Sequence, residues 1–309
     1  MVKISFVLHG KIRGKRNLIR EIDKVFNLKY EVAYYETRKA NHAEELTLQA
    51  LQDGCDYLIA VGGDGTLNEV VNGYLLAGGR SKYSAVLAVL PWGTGNDFVR
   101  SIGVDKSVSQ LARLIETKSI KYVDAGEIRL DNPGDKGMVR YFDNIADLGI
   151  GADVVARVNG VHLRKKILGG TLIFFFTALK TFLFYRHKKV RISWEGFSWE
   201  GPLLSLVVAN GNFFGSGLGI APEASLYDGN FQVVIFGNVS VWDYLKNYGK
   251  LRRSERIDLE DVQYLSSDKV RVDTDVNGIS VEADGEVNGQ APLEFSCLKA
   301  ALPLLVPDS

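Results

Sequence analysis

The feature that most restricts the fold is a short apolar run that leads into a glycine-rich loop and then into an amphipathic helix. Residues 57–61 (YLIAV) precede GGDGT at 62–66, and apolar residues recur at helical spacing through residue 75. Glycines let the chain turn sharply and let amide N–H groups approach an anion, and a helix N-terminus favours negative charge. Thr66 and Glu69 have the spacing of a capping box, which predicts that the helix begins there. Taken alone, the segment fits a phosphate-binding turn or a purely structural one.

A second loop of the same kind follows the next predicted strand. Residues 85–90 (AVLAVL) run into PWGTGNDF at 91–98. Thr94 and Asn96 can hydrogen-bond phosphate or ribose oxygens, and Asp97 can cap the following helix or hold a partner in place. Open α/β sheets bind ligands at the carboxyl ends of their parallel strands. Two such loops indicate a nucleotide polyphosphate site, although neither has the Walker A or the dinucleotide-binding glycine pattern.

Strand and helix patterns alternate through the first 125 residues. The predicted strands are 2–8, 30–36, 57–61 and 85–90, and the predicted helices are 15–28, 41–53, 67–77 and 108–118. This alternation favours parallel βαβ units in a doubly wound sheet.

Beyond residue 125 the pattern changes to successive strands. They are predicted at 138–145, 190–194, 203–209, 231–236, 269–272 and 279–283, with helices at 168–185 and 241–251. Turn dipeptides such as Glu195-Gly196, Asp228-Gly229 and Asn277-Gly278 favour antiparallel pairing in a sandwich or barrel. We therefore expect an α/β domain over 1–125 and a mostly antiparallel β-sandwich domain over 126–309. A tight hinge near residue 125 would join them, and the last strand is a candidate to return to the first domain.

The charge balance excludes one class of protein. The chain has 37 Lys and Arg and 37 Asp and Glu, so it lacks the basic field of a dedicated nucleic-acid binder. Cys55 and Cys297 are too far apart in sequence to suggest a disulfide framework or a zinc site, which favours a reducing, cytoplasmic setting. The N-terminal segment lacks the cleavage site of a signal peptide.

Two kinds of segment bear on membrane contact. Residues 171–185 (TLIFFFTALKTFLFY) are too short to span a bilayer and contain Lys180, so they fit a buried helix or one whose exposed face meets lipid. Basic clusters at 11–16, 164–166 and 186–189 fit solvated faces or contacts with phosphate or anionic membrane.

GGDGTLNEVVNG at 62–73 together with PWGTGNDFVRSIG at 91–103 resembles the catalytic domain of the diacylglycerol kinase and sphingosine kinase superfamily, most closely its bacterial soluble lipid kinases. The two motifs together are far more specific than either alone, and the resemblance extends over nearly the whole chain. It implies phosphorylation of a lipid hydroxyl, with ATP and Mg²⁺, in a cleft between an α/β nucleotide domain and a β-sandwich domain.

The resemblance also implies roles for individual residues. Asp64 corresponds to an essential aspartate oriented toward a catalytic Mg²⁺, with Asn96, Asp97 and Asp124 in the surrounding network. The positions that match nucleotide contacts are Thr37, Gly62, Gly63, Asp64, Gly65, Thr66, Leu67, Asn68 and Thr94. Many relatives have an Asn-Pro and a glycine turn where this chain has LHGK at 8–11, so the resemblance assigns no contact to residues 9–14.

Two later segments carry further implied roles. Similarity places Glu286 at the proton-acceptor position, with Asp284 close by and either acid a candidate base. Acids two positions apart on a strand project to one face, where each raises the pKa of the other, but the residues alone also fit an exposed hairpin turn. The segment 221–230 resembles a structural Mg²⁺ site formed by the Asp228 carboxylate and the carbonyls of Ser225 and Asn230, or it is a simple Asp-Gly turn.

The sequence thus predicts a cytoplasmic, peripherally membrane-associated lipid kinase. One alternative is a kinase of a soluble substrate, as in the related NAD kinases, which share the GGDGT loop. Another is a non-catalytic nucleotide- or lipid-binding regulator, which the retained Asp64, Asp97, Asp124 and Glu286 disfavour. No motif selects among diacylglycerol, phosphatidylglycerol, a sphingoid base and a polyprenol, and none specifies an oligomeric state.

Overall fold

The structure is a computed structural model that describes residues 1–132, 134–160, 180–181, 184–275 and 278–308. Its helices are α1 (Lys15–Phe26), α2 (His42–Gln52), α3 (Asp64–Leu76), α4 (Asp97–Ile102), α5 (Val108–Thr117), α6 (Ile150–Gly160), α7 (Val241–Lys246) and α8 (Tyr248–Arg252). The first nine strands are β1 (Lys3–Leu8), β2 (Glu31–Glu36), β3 (Tyr57–Gly62), β4 (Val86–Pro91), β5 (Ile120–Leu130), β6 (Val139–Phe142), β7 (Ile145–Gly149), β8 (Lys188–Trp194) and β9 (Phe197–Leu203). The others are β10 (Ser205–Ala209), β11 (Phe213–Phe214), β12 (Leu218–Gly219), β13 (Phe231–Phe236), β14 (Val262–Ser267), β15 (Lys269–Asp273), β16 (Ser280–Ala283), β17 (Glu286–Gln290) and β18 (Leu293–Leu305).

The N-terminal part is a parallel sheet covered on both faces by helices. Its strands run in the order β2-β1-β3-β4, and every neighbouring pair is parallel. Buried side chains of α1 and α5 pack on one face, and those of α2, α3 and α4 pack on the other. The predicted doubly wound α/β fold is confirmed.

The C-terminal part contains two facing sheets. One contains β15, β8 and β9 with parts of β5, β6 and β18, and the other has the order β14-β13-β10-β7-β16-β17 with antiparallel pairs throughout. Apolar residues of both sheets form one buried cluster. Phe142 is central to it, with ring centroids 5.6 Å from Phe231 and 6.2 Å from Phe295. The predicted antiparallel sandwich is confirmed.

Strand β18 joins the two parts. Its first half lies between β15 and β5, and its second half lies between β5 and β4, where Leu304 pairs with Leu87. The change of neighbour occurs at a register shift between Leu298 and Leu302. Residue 125, where we expected a hinge, lies inside β5, so the chain enters the second part within a strand.

Several predicted elements are divided in the structure. The strand expected at 138–145 is interrupted after Phe142, because the N–H groups of residues 143–145 donate to the Asp284 carboxylate rather than to a neighbouring strand. The strand expected at 203–209 is interrupted at Leu204, whose N–H donates to the carbonyls of Phe236 and Gly237. The helix expected at 241–251 forms α7 and α8, which meet at Asn247.

Other predicted elements are present only in part among the described residues. The Glu195-Gly196 turn is confirmed, with Trp194 paired to Phe197 and Gly196 at a φ of 75°. Most of the apolar stretch 171–185, the basic cluster 164–166 and Asn277 lie outside the described residues. Within the described ranges, no helix combines the length and apolarity needed to cross a bilayer.

Candidate functional site

The two glycine loops lie at the carboxyl ends of β3 and β4 and contact each other through their backbones. The Trp92 N–H donates to the Gly62 carbonyl at 2.6 Å, and a Cβ atom at Gly93 would lie 2.3 Å from the Gly63 Cα. Asn96, at a φ of 53°, closes the second loop through hydrogen bonds between its side-chain amide and the backbone of Gly93. Gly63 and Gly93 are therefore required for packing of the loops, whereas a Cβ atom at Gly65 would meet nothing within 4 Å.

The predicted capping box is wrong. Helix α3 begins at Asp64, and no side chain caps its N-terminus. The Glu69 carboxylate instead accepts the N–H groups of Asn41 at 3.1 Å and Ala43 at 2.8 Å, at the start of α2. Because the start of α3 has no side-chain cap, the positive end of its dipole is available to an anion beside Gly65.

A cleft of about 1180 Å³ opens beside these loops. The predicted nucleotide-contact residues that line it are Thr37, Gly62, Gly63, Gly65, Thr66 and Thr94, and Glu286 from the C-terminal part lines it as well. Residues 9–13, to which the resemblance assigned no contact, also line it. The other three predicted contact residues, Asp64, Leu67 and Asn68, do not line it, and the Leu67 side chain is 2% exposed in the core of the first domain.

The cleft walls carry an excess of basic side chains. They are Lys11, Arg13, Arg38, Lys39 and Lys106. Glu36 also lines the cleft but is paired with Lys15, and Glu69 is occupied by the backbone of α2. Such a cleft favours a polyanionic ligand.

Asp64 and Asp97 lie close together at the edge of the second loop. A Cβ atom at Gly95 would lie 2.9 Å from Asp64 Oδ2 and 3.7 Å from Asp97 Oδ2. Asp64 Oδ1 is 3.4 Å from the Phe98 N–H, and Asp97 Oδ2 accepts the Ser216 N–H at 2.8 Å, in the turn between β11 and β12. Burial is the main reason that the pKa of Asp97 is raised, and the neighbouring Asp64 contributes. Through this hydrogen bond Asp97 holds the turn between β11 and β12, which belongs to the C-terminal part. Holding a partner in place was one of the two roles predicted for Asp97.

Asp284 and Glu286 do not share a strand face as expected. Asp284 and Gly285 form the two-residue turn between β16 and β17, with φ angles of 49° and 86°, and Ala283 pairs with Glu286. The Asp284 carboxylate turns inward and accepts the N–H groups of Asp143, Asn144 and Ile145 at 3.0 to 3.2 Å. Glu286 is exposed to the cleft. The two acids thus lie on one hairpin, but the Asp284 carboxylate is buried against backbone N–H groups and Glu286 lines the cleft.

Asp143 is a site residue that the sequence reasoning missed. It is 1% exposed, and its Oδ1 accepts no hydrogen bond from the described residues. Burial, followed by the adjacent Asp284, raises its pKa well above the usual range, and Asp64 adds to the effect. Burial raises the pKa of Asp284 as well, and its backbone N–H donors offset part of that effect. The only sequence signal was an Asp-Asn pair inside an otherwise apolar run.

Two asparagines on α3, the helix that follows the first glycine loop, connect it to the C-terminal part. Asn68 Nδ2 donates to Asp284 Oδ2 at 2.8 Å and to the Tyr141 carbonyl at 3.1 Å. Asn72, one turn later, donates to the same carbonyl at 2.8 Å and accepts the Tyr141 N–H at 2.9 Å. Asn68, predicted to contact nucleotide, thus contacts the hairpin that carries Glu286.

Asp124 is fully buried, and its carboxylate bonds to backbone groups remote in sequence. It accepts the N–H groups of Gly229 at 2.7 Å and Ala300 at 2.6 Å. Ala300 lies in the register shift of β18, so Asp124 stabilises the point where that strand changes neighbours. Its hydrogen bonds therefore connect it to the predicted structural metal segment rather than to Asp64.

The predicted structural metal segment forms a tight turn. Asp228 is exposed, and its Oδ1 accepts the Asn230 N–H at 2.9 Å. Ser225 Oγ accepts the Tyr227 N–H at 3.3 Å. The three predicted ligands, Ser225, Asp228 and Asn230, therefore share one turn held by Asp124 through Gly229.

A second buried acidic pair, Asp147 and Glu282, contacts the turn of the β16–β17 hairpin through Glu282. Asp147 on β7 lies opposite Glu282 on β16. Glu282 accepts the N–H of Gly285 at 2.9 Å, and Asp147 accepts the N–H of Ala152 at 3.1 Å and the hydroxyl of Ser205. Burial raises the pKa of Asp147 to about 6 and that of Glu282 well above its usual range.

Comparison with known families gives two matches that together cover most of the chain. The family model of the diacylglycerol kinase catalytic domain matches residues 6–128, and that of the YegS C-terminal NAD kinase beta sandwich-like domain matches residues 144–306. A probable YegS-like lipid kinase of Pseudomonas putida is 31% identical over 310 residues, which cover 99% of this chain and 95% of the relative. A diacylglycerol kinase of Bacillus subtilis is 26% identical over 299 residues, covering 96% and 93%.

Solved structures show the same architecture. A putative diacylglycerol kinase from Bacillus anthracis has a TM-score of 0.77 at 20% identity and covers 99% of this chain and 97% of its own. A yeast NADH kinase complexed with NADH has a TM-score of 0.57 at 10% identity, covering 100% and 84%. At these identities the likeness describes the fold alone.

The two glycine positions provide a first prediction. Gly65→Ala should leave the free energy of unfolding unchanged or raise it by up to ~1 kcal/mol, because the site is open and alanine favours helices. It should also weaken binding of a phosphate ligand, because the new methyl group occupies the approach to the loop. Gly93→Ala should destabilise the protein, because the methyl group meets the Gly63 backbone. Urea unfolding and nucleotide titration of both variants measure this contrast, and equal loss of stability would contradict it.

Asn72 provides a second prediction. Asn72→Ala leaves the Tyr141 N–H without its side-chain acceptor and removes one of the two amide donors to the Tyr141 carbonyl, which keeps Asn68, and should cost ~1–3 kcal/mol of unfolding free energy. Asn72→Asp should also be destabilising, because a carboxylate can accept the Tyr141 N–H but cannot donate to its carbonyl. Urea unfolding measures both, with Asn17→Ala on the exposed face of α1 as the control. Stability of Asn72→Ala equal to that of the control would contradict this assignment.

The Asp147–Glu282 pair provides a third prediction, concerning pH. Because the folded state raises the pKa of both acids, it holds their protons more tightly than the unfolded chain does, and stability is lost as pH rises through the folded-state values. For Asp147 alone, a rise from 3.8 to about 6 corresponds to ~3 kcal/mol.

Glu282→Gln keeps an acceptor for Gly285 and removes one charge, so the variant should lose less stability than wild type between about pH 5 and about pH 8. Urea unfolding at the two pH values measures the difference, and the exposed Glu260→Gln serves as the control. Equal losses in wild type and Glu282→Gln would show that the pair does not titrate as inferred.

Proposed function

Because this chain belongs to the family of diacylglycerol kinases and YegS-like lipid kinases, and is therefore a phosphotransferase with an alcohol group as acceptor, we propose that it transfers the terminal phosphate of ATP to a lipid hydroxyl. The reaction would occur in the cleft between the two parts of the chain. The observation that carries the proposal is that Glu286 lines the same cleft as both glycine loops.

The loops and the basic side chains would hold the nucleotide phosphates. Phosphoryl transfer depends mainly on positioning and on stabilisation of negative charge, with little covalent chemistry from the protein. Backbone N–H groups near Gly65, the N-terminus of α3 and the hydroxyls of Thr37, Thr66 and Thr94 are suited to this task.

The acidic side chains near the cleft suit a magnesium ion. Asp97 Oδ1 is buried and accepts no hydrogen bond from the described residues, with Arg100 Nε 3.7 Å away, and Asp64 lies nearby. Among the described residues, no three His, Cys, Asp or Glu side chains converge as a complete metal site. This fits Mg²⁺, which is commonly held by one or two carboxylates with water and substrate phosphates. Asp64, supported by Asp97, would hold the ion, which when bound neutralises phosphate charge.

Glu286 would accept the proton of the attacking hydroxyl. Of the two candidate acids, Asp284 is occupied by three backbone N–H groups and by Asn68, whereas Glu286 faces the cleft. As the acceptor oxygen bonds to the terminal phosphorus, its proton passes to the Glu286 carboxylate and ADP leaves. Asn68 and Asp284 position the hairpin for this step.

We further propose that the protein binds its lipid substrate at a membrane surface, on the side of the membrane where ATP is available. Exposed aromatic side chains support this, with Trp242 62% and Phe184 70% exposed. The basic cluster at 11–16 serves the cleft in part, because Lys11 and Arg13 line it and Lys15 is paired with Glu36. A second Mg²⁺ at Asp228, Ser225 and Asn230 remains part of the proposal as a stabiliser of that turn.

The proposed roles of Glu286 and Asp64 provide a fourth prediction, which one variant of each residue tests. Glu286→Gln should lower kcat for lipid phosphorylation by ~10²–10⁴-fold with little change in the KM for ATP, because only the proton acceptor is lost. Asp64→Asn should lower kcat and raise the Mg²⁺ concentration needed for half-maximal rate. Products formed from total lipid extract and from NAD are identified by mass spectrometry. Wild-type turnover by Glu286→Gln would refute the assigned base, and phosphorylation of NAD in place of lipid would refute the acceptor class.

A further inference from the structure

Trp92 is attached directly to the phosphate loops. The backbone N–H of Trp92 donates to the Gly62 carbonyl at 2.6 Å, and the next residue, Gly93, packs against Gly63. Trp92 lines the cleft, and its partly buried side chain packs against the core beneath α1 and α5. The ring is therefore fixed relative to the backbone groups proposed to bind phosphate.

Lys106 lies over this ring and lines the same cleft. Its Nζ is 3.8 Å from the indole centroid, within the range of a cation–π interaction. Lys106 belongs to the short loop between α4 and α5, which is held at both ends by Gln110. The Gln110 side chain accepts the Asp105 N–H at 2.7 Å, and Ser107 Oγ accepts the Gln110 N–H at 3.2 Å. The loop thus presents Lys106 from a defined position.

The charge of Lys106 is not used in an ion pair with any described residue. The neighbouring Asp105 carboxylate instead accepts a hydrogen bond from Gln110 Nε2 at 3.3 Å. Lys15 and Lys39, by contrast, are paired with Glu36 and Glu45. An aromatic face orients an ammonium group without neutralising it, so the ammonium keeps its attraction for an anion.

We infer that Lys106, held over Trp92, is a phosphate-binding residue of the nucleotide site. The inference rests on the proposed use of ATP, and it supplies what the glycine loops lack. They offer backbone donors but contain no lysine, unlike the Walker A loop, in which a lysine reaches the β- and γ-phosphates. Trp92 is the positioning residue, because it acts on the phosphates only through Lys106.

The test measures nucleotide binding and turnover in five variants of the full chain: Lys106→Ala, Lys106→Arg, Trp92→Phe, Trp92→Leu and the double variant Trp92→Leu/Lys106→Ala. Lys82→Ala is the matched control, because Lys82 Nζ also lies over an aromatic ring, that of Tyr83, at 5.3 Å, and neither residue lines the cleft. Inorganic tripolyphosphate and adenosine are used as competitive inhibitors, which separates contacts to phosphate from contacts to the base.

Lys106→Ala should raise the KM for ATP and the inhibition constant of tripolyphosphate about 10-fold, the loss expected for one charged hydrogen bond, with the KM for lipid and the inhibition constant of adenosine unchanged. Lys106→Arg and Trp92→Phe should retain most of the affinity, because they keep a cation and an aromatic face. Trp92→Leu should show a smaller loss. The double variant should be no worse than Lys106→Ala, because the ring acts through the lysine.

Three results would overturn the inference. One is wild-type inhibition of Lys106→Ala by tripolyphosphate. Another is a rise in the inhibition constant of adenosine in Trp92→Leu, which would identify the ring as a platform for the base. The third is strictly additive losses in the double variant. Failure of the proposed function would be distinct, since wild-type protein would then bind neither ATP nor tripolyphosphate in equilibrium dialysis.

Discussion

The Asp284 carboxylate is the contact on which the arrangement of the site depends. It accepts hydrogen bonds from three consecutive backbone N–H groups at the start of β7 and from the side-chain amide of Asn68 on α3. These bonds connect the helix that follows the first glycine loop, the sandwich and the hairpin that carries Glu286. A buried carboxylate is stable only when such donors replace water. The same donors divide the strand expected at 138–145, so the irregularity in the sheet and the position of the hairpin that carries Glu286 have one cause.

The glycine loops show how packing and binding requirements coexist in one short motif. At Gly63 and Gly93 a side chain would collide with the backbone of the other loop. At Gly65 a side chain would instead project into open space beside the cleft. The structural interpretation of the motif therefore applies at Gly63 and Gly93, and the proposed phosphate contact applies at Gly65. Acidic residues are divided in the same way: Asp124 and Asp284 accept hydrogen bonds from the backbone, whereas Glu286 lines the cleft.

The sequence was sufficient for features that depend on local patterns. Apolar periodicity and turn residues identified the α/β sheet, the sandwich and most strands, and the two glycine motifs identified the cleft. It was insufficient where partners are distant along the chain. The carboxylate of Glu69 reaches back to α2 rather than to its own helix, and Asn72 binds the backbone of Tyr141, which lies 69 residues away. Asp143 was missed because nothing in its neighbourhood in sequence reveals Asp284.

The position of β18 has a consequence for how the protein is made. Its second half lies between β4 and β5, so the parallel sheet that carries both glycine loops keeps an unpaired edge at β4 until the final strand emerges from the ribosome. Open edges invite pairing with other chains. The N-terminal α/β part is thus synthesised first but completed last, and its sheet keeps one edge exposed throughout the synthesis of the sandwich.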